Sequence, residues 1–356
     1  MYQKKTTLKD IAALAGCSTA AASMILAGRQ LPRFSQETIQ AVYNASRNLG
    51  YHRKQNHKQE DIVVIVCPSV INPYFATLLQ GMESEAEANG CNTVVFNTYW
   101  STDREKRILD ISSNPLVKGI IFAMAPQQPE LVKIAAGRIP IVTVSDKQFQ
   151  TGLDTVEVDN FDAGYQIGEH LIGLGHTDVC YLSTSMNTQH SSRLLRYHGL
   201  VESFKKLCPS GSVSLIIHDV ESSKELDTVE IEHQVGMELA RKCIASTTNV
   251  TAMVAINDMV AYGVIDEVLA EGLSIPGDYS VCGFDNIYPS QFHGVALTTI
   301  DHHINQRGRK AFSLLKAKLE RTGVEDSITH VEFTNLLVVR ATTGAPRKQD
   351  RNGKPV

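Results

Sequence analysis

Eight short apolar runs, in two sets of four, leave few folds open to this chain. The first set is Ile62 to Cys67, Thr93 to Asn97, Gly119 to Met124 and Ile139 to Val144. The second is Val179 to Ser183, Val213 to His218, Ala252 to Ile256 and Ser280 to Phe284. Longer amphipathic stretches separate them, around Ala163 to Gly173, Ser191 to Lys206, Glu230 to Ser246 and Met259 to Glu271 in the second set. A strand that is apolar throughout must be covered on both faces, and parallel strands are joined through helices, so the alternation reads as βαβ units of a buried parallel sheet. Two such sets predict two doubly wound α/β lobes. Ligands of open parallel sheets collect beyond the carboxyl ends of the strands, so a binding cleft is expected between the lobes.

The first 60 residues have a different character. They carry nine Lys or Arg against three acids, a net of +6, which leaves −10 for the rest of a chain whose total is −4. A small basic unit ahead of a larger acidic one suits a polyanion-binding head. Thr7, three residues before Asp10, resembles a capping box, and Ile11, Ala12, Leu14 and Ala15 supply an apolar helical face that stops at Gly16. Ser18 is placed to cap a second helix from about Thr19 to Ala27, stopped by Gly28. In it Ala21, Ala22 and Ile25 are expected against the first helix, leaving Thr19, Ala20, Ser23, Met24 and Ala27 for other faces. Ser35 is placed to cap a third helix from Gln36 to Leu49, with Ile39, Val42 and Ala45 facing inward. Two short helices joined at a glycine turn, with a third behind, form a helix-turn-helix unit whose second helix can enter a major groove.

The run Thr7-Leu8-Lys9-Asp10-Ile11-Ala12-Ala13-Leu14-Ala15-Gly16-Cys17-Ser18, followed by Leu49-Gly50-Tyr51, resembles the headpiece of the LacI/GalR family of bacterial regulators. Pro68-Ser69-Val70-Ile71-Asn72-Pro73-Tyr74-Phe75 resembles the family's first sensor strand and the loop after it. Further matches occur at Val158-Asp159-Asn160, Gly175-His176, Asn257-Asp258 and Gly283-Phe284-Asp285-Asn286, so the similarity spans about residues 6 to 344. The resemblance implies a headpiece over 1–51, a linker over 52–61, and a two-lobed, periplasmic-binding-protein-like (type I) sensor over 62–345. It also implies three crossings between lobes, expected near Asp159, Asp301 and Gly323. Lobe 1 would then hold about 62–158 and 302–322, and lobe 2 about 159–301 and 323–345. The polar, charged residues 346–356 are expected to be disordered.

The function so implied is a cytoplasmic, homodimeric transcription regulator, by default a repressor, with double-stranded operator DNA and a small sugar-like effector as partners. The DNA-contacting positions expected are Thr7, Ser18, Thr19, Ala20, Ser23, Met24, Ala27, Arg29, Arg33, Tyr51, Arg53 and Lys54. Residues just beyond strand ends supply the effector candidates Asp146, Asp159, Asn257, Asp258 and Asp285. The family segment matched by Ser192-Arg193-Leu194-Leu195-Arg196 adds Arg196, Tyr74 and Phe75 could stack on an apolar ligand face, and His190 falls nearby. The chain departs from the family in three places. Ser145 stands where an acid is frequent after the fourth strand. Met24 and Ala27 replace a common arginine and asparagine on the recognition helix, so base reading would rely on apolar contact, for example with thymine methyl groups. The linker has no leucine to serve as a minor-groove wedge.

Other classes find little support. No stretch reaches the roughly 18 apolar residues of a membrane span, and nothing at the N-terminus reads as a signal peptide. The seven cysteines are scattered without a CxxC pair and read as reduced. Nucleotide-loop, hydrolase-elbow and zinc-helix motifs are missing, so neither an enzyme nor a cofactor or metal is expected. His302-His303 reads as a surface or loop pair. The alternative kept open is a cytoplasmic ligand-binding protein with a weakened or vestigial DNA-binding head.

Overall fold

A computed structural model of the chain describes residues 6–28, 31–49, 51, 62–148, 152–186, 191–221, 224, 228, 230–246, 249–320 and 327–347. The chain divides into two units, Met1–Glu60 and Asp61–Val356.

In the first unit, α1 (Leu8–Leu14), α2 (Thr19–Leu26) and α3 (Gln36–Asn48) each start on a hydroxyl. The Thr7 hydroxyl accepts from the Asp10 amide while the Asp10 carboxylate accepts from the Thr7 amide, closing a capping box. Ser18 accepts from the Ala21 amide at 3.1 Å and Ser35 from the Thr38 amide at 3.2 Å. Such caps contribute about 1 kcal/mol each by satisfying donors that a helix start leaves open. Gly16 follows α1 with φ +66°, and α1 and α2 meet at 103°, the crossing of a helix-turn-helix pair. Ile11, Ala12, Ala22, Ile25, Val42 and Ala45 form the core. Leu14 falls off that face and is exposed, while Ala21 and Ile39 are half-buried.

The second unit holds two six-stranded sheets. Its first stretch runs β1 (Ile62–Cys67), α4 (Pro73–Ala88), β2 (Asn92–Asn97), α5 (Thr102–Asp110), β3 (Val117–Phe122), α6 (Pro129–Ala136), β4 (Ile141–Asp146) and β5 (Asp154–Val158). The second runs α7 (Asn160–Gly173), β6 (Asp178–Ser183), α8 (Ser191–Leu207), β7 (Ser212–Ile217), α9 (Glu230–Ser246), β8 (Ala252–Ala255), α10 (Asp258–Ala270), β9 (Ser280–Phe284) and β10 (Thr298–Asp301). The chain then returns through α11 (Ile304–Glu320), β11 (His330–Phe333) and β12 (Leu336–Val338). The strand orders are β11-β5-β4-β3-β1-β2 and β12-β10-β9-β8-β6-β7. In β1, Val63, Ile65 and Cys67 enter the core beneath α4 and α11, whereas Val64 and Val66 enter the core on the opposite face. This is what a strand covered on both sides requires.

The second sheet carries one refinement, and two expectations need correction. β12 pairs antiparallel with β10, so the second sheet is parallel except at this edge. The third crossing is not near Gly323: α11 packs Ile304, Ala311, Phe312 and Leu315 into the first lobe, and β11 pairs with β5. The chain therefore changes lobes at Asn335, between β11 and β12. Pro346 and Arg347 are not disordered, because the Arg347 guanidinium lies 4.8 Å from the Tyr279 ring centre and Pro346 sits against Gly175. The rest of the tail lies outside the described residues, as do the linker positions Arg53 and Lys54 and also Arg29 and His190. Among the described residues no single helix is long and apolar enough to cross a membrane.

Candidate functional site

A cavity of about 170 Å³ opens at the carboxyl ends of the strands, with walls from both lobes. Lobe 1 contributes Tyr74 and Phe75 from the start of α4, Trp100 after β2, Asp146 at the end of β4 and Arg307 from α11. Lobe 2 contributes Arg196 from α8, Glu232 from α9, Asn257 before α10 and Asp285 after β9. The Tyr74 and Phe75 rings meet edge to face at 5.0 Å. Trp100 (φ 56°) and Asp285 (φ 113°) hold backbone conformations that non-glycine residues rarely adopt, a kind of strain that clusters at ligand sites.

Arg196 is the most heavily bonded group in the cleft. Its backbone is fixed where Gly164 of α7 lets the two helices touch, since a Cβ there would collide with the Arg196 carbonyl. The buried guanidinium donates from Nε to Asn160 Oδ1 at 2.9 Å, and from Nη1 to the Ile256 carbonyl. From Nη2 it donates to His302 Nε2 at 3.0 Å and to Asp285 Oδ1 at 3.4 Å. One of its faces lies 4.7 Å from the Phe284 ring centre. An arginine cannot accept, so His302 carries its proton on Nδ1 and donates it to Asn335 Oδ1 at 2.9 Å. Burial and the two neighbouring guanidiniums hold His302 well below the usual histidine range. Asn335 in turn donates to the Asp159 carbonyl and to Asp162 Oδ2. One continuous chain of hydrogen bonds therefore ties all three crossings, at Asp159–Asn160, His302 and Asn335, to a cavity-lining side chain. The His302-His303 pair does lie in a loop, but His302 is buried at this crossing and not on the surface.

The acids divide by role. Burial pushes the Asp285 carboxyl up to about 7 against the pull of Arg196. Asp146 lines the cavity, but its Oδ2 accepts from both the Asn160 amide and side chain, and its Oδ1 accepts from the Gln148 amide. Asp258 does not line the cavity: it is fully buried and accepts from Ser290, Thr299 and the Ile287 amide, with burial pushing it up to about 7. Nor does Asp159, which caps α7 and pairs with Lys147 at 2.9 Å. Sequence reasoning passed over Asn72 and Glu232, which join the lobes directly: Asn72 Nδ2 donates to Glu232 Oε2 at 3.0 Å, and Asn257 Nδ2 donates to Glu232 Oε1 at 2.8 Å. Trp100 was also missed, although it follows a strand end, and so was Arg307, although it sits on the apolar stripe of α11.

On the headpiece, Thr19 and Ala20 at the start of α2 are exposed, and Ser23, Met24 and Ala27 are half-buried. Thr7 and Ser18 are exposed at the two helix starts, and Arg33 is exposed in a short 3₁₀ turn. Tyr51 packs against the headpiece core, its amide donating to the Ser46 carbonyl.

Residues 60–336 match the family described as periplasmic binding proteins and sugar binding domain of LacI family. The HTH-type transcriptional repressor PurR of Histophilus somni is 27% identical over 345 residues, covering 94% of this chain and 98% of that protein. Among solved structures, the lac repressor dimer bound to operator and the anti-inducer ONPF superposes with a TM-score of 0.69 at 21% identity, over 96% of this chain and 100% of that one. A LacI family transcriptional regulator from Enterococcus faecium with bound ribose gives 0.68 at 22% identity, over 81% and 100%. With a capped helix-turn-helix head, two sheets crossed three times and a family match over most of its length, the chain belongs to the LacI/GalR family of bacterial transcription regulators.

Proposed function

We propose that this chain is a cytoplasmic, homodimeric repressor whose affinity for a specific operator is set by a small polar effector, a sugar or sugar derivative, held in the cleft. The observation that carries the reading is the position of Arg196, which belongs at once to the cavity wall and to the hydrogen-bond chain on all three crossings. A ligand that engages Arg196 or Asp285 changes the geometry of the crossings, and lobe closure then alters how two paired heads are presented to DNA. Tyr74 and Phe75 supply the stacking face, and Asn257 a hydrogen-bonding edge. The ribose bound by the E. faecium regulator and the operator bound by the lac repressor dimer are in keeping with both halves of the proposal. Thr19, Ala20, Ser23 and Met24 would face the bases, with Thr7, Ser18 and Arg33 near phosphates.

Selection of random duplexes with the purified full-length chain tests this. A two-fold symmetric site should emerge, and six or so phosphate contacts would cost about a thousandfold in affinity between 50 and 200 mM salt. Enrichment of no shared sequence would instead support a ligand-binding protein with a vestigial head.

A further inference from the structure

Arg307 is 1% exposed, lines the cavity, and has far fewer partners than its depth requires. Its Nη1 donates to the Tyr74 hydroxyl at 3.0 Å, while its Nε has no hydrogen-bond partner among the described residues. Its charge is felt by Asp285, but no described carboxylate lies close enough to form an ion pair with it. The three acids of the cavity wall are committed elsewhere: Asp285 to Arg196, Asp146 to Asn160 and Gln148, and Glu232 to Asn72 and Asn257. The backbone that carries the side chain is also held in place. The next residue, Gly308, lies where a Cβ would strike the Leu78 carbonyl of α4, so α11 and α4 are in backbone contact and the Arg307 position is fixed. A guanidinium removed from water with one neutral partner is costly, and buried charges are ordinarily paired.

Resting on the reading of the cleft as an effector site, we infer that the effector carries an anionic group, a carboxylate or a phosphate monoester, which seats on Arg307 beside the Tyr74 hydroxyl. The guanidinium carries donors beyond the one spent on Tyr74, in the fork that suits a planar or tetrahedral oxyanion, and Tyr74, Phe75 and Trp100 offer aromatic walls for the rest of the molecule. Arg307 is thus a specificity-determining residue that separates acidic sugars from their neutral parents.

The test uses the full-length protein and its single tryptophan, Trp100, as a fluorescence reporter. The probes are D-ribose with D-ribose 5-phosphate, D-glucose with D-gluconate and D-glucose 6-phosphate, and the minimal anions acetate and inorganic phosphate. At least one anionic sugar should bind tenfold or more tightly than its neutral parent, the carboxylate and phosphate arms showing which anion fits. Arg307→Met should erase that preference and Arg307→Lys should keep part of it. Neutral sugars binding the wild type as well as their anionic forms, a preference that survives Arg307→Met, or no response to any anion would overturn the inference. The two readings fail separately. Neutral-sugar binding that changes operator affinity leaves the regulator reading standing without the anion, whereas Arg307-dependent anion binding with no effect on DNA leaves the anion site without the regulator.

Discussion

The two walls of the cleft each bury an arginine, and they treat it in opposite ways. On the lobe 2 wall, Arg196 spends its donors on Asn160, Ile256, Asp285 and His302 and rests against the Phe284 ring. On the lobe 1 wall, Arg307 reaches the Tyr74 hydroxyl and leaves its Nε unbonded. A charge whose every nitrogen holds a partner belongs to the framework, while a charge left short of partners stores a cost that an incoming group can relieve. The first wall looks finished without a ligand. The second does not.

Arg196→Met should be the most damaging change to this contrast. It strips Asp285 of its nearest counter-charge, leaving only the more distant Arg307, and empties the link to all three crossings, for an expected loss of about 3–5 kcal/mol in urea unfolding. A loss below about 1 kcal/mol would show that the network is ornamental. Gly308→Ala presses a methyl group onto the Leu78 carbonyl and should cost about 1–3 kcal/mol by forcing α11 off α4. Because Arg307 rides on that helix, anion preference should weaken with it, and unchanged preference would mean that Arg307 is held by something other than this contact.

The pH dependence of stability sharpens the lobe 2 side with the smallest effect. Asp285 and Asp258 are pushed up to about 7 by burial, so the folded chain binds their protons before the unfolded chain does. The stability they contribute is complete below the ordinary carboxylate value and is lost as pH rises through about 7. His302, held low, works in the reverse sense and withdraws stability only as pH falls below its usual 6.5. Between pH 8 and 6.5 the sensor should therefore gain roughly 1 kcal/mol in stability, and Asp285→Asn should remove about half of that gain. A melting temperature that falls over this range would contradict the assignment.

Much of the molecule could be read from the sequence because local chemistry and tertiary demand agree there. Thr7, Ser18 and Ser35 are caps in sequence and in structure, and the runs at β1, β3, β4, β6, β8 and β9 are apolar because helices cover both their faces. The strands that were not singled out are polar or at edges: β5 is Asp-Thr-Val-Glu-Val, β10 is Thr-Thr-Ile-Asp, and β11 and β12 close the ends of the two sheets. That same polarity hid the third crossing, since nothing local marks Asn335 as the residue between lobes. In the cleft, position after a strand end found Asp146, Asn257 and Asp285 but also selected Asp159 and Asp258, whose oxygens serve a helix cap and a buried hydroxyl cluster. The post-strand rule describes where side chains begin, not what they bond. Arg307 did leave a trace, a cation in register with Ile304, Ala311 and Leu315 on the buried stripe of α11. What sets it apart is the partners it lacks, which no sequence pattern records.

The most direct measurement is the unfolding midpoint of ligand-free, full-length Arg307→Met beside the wild type, followed through Trp100 fluorescence. Replacing an under-bonded buried guanidinium with an apolar side chain of similar length should raise stability by about 1–3 kcal/mol. A fall like that expected for Arg196→Met would mean that Arg307 is part of the framework, and that the lobe 1 wall awaits no anion.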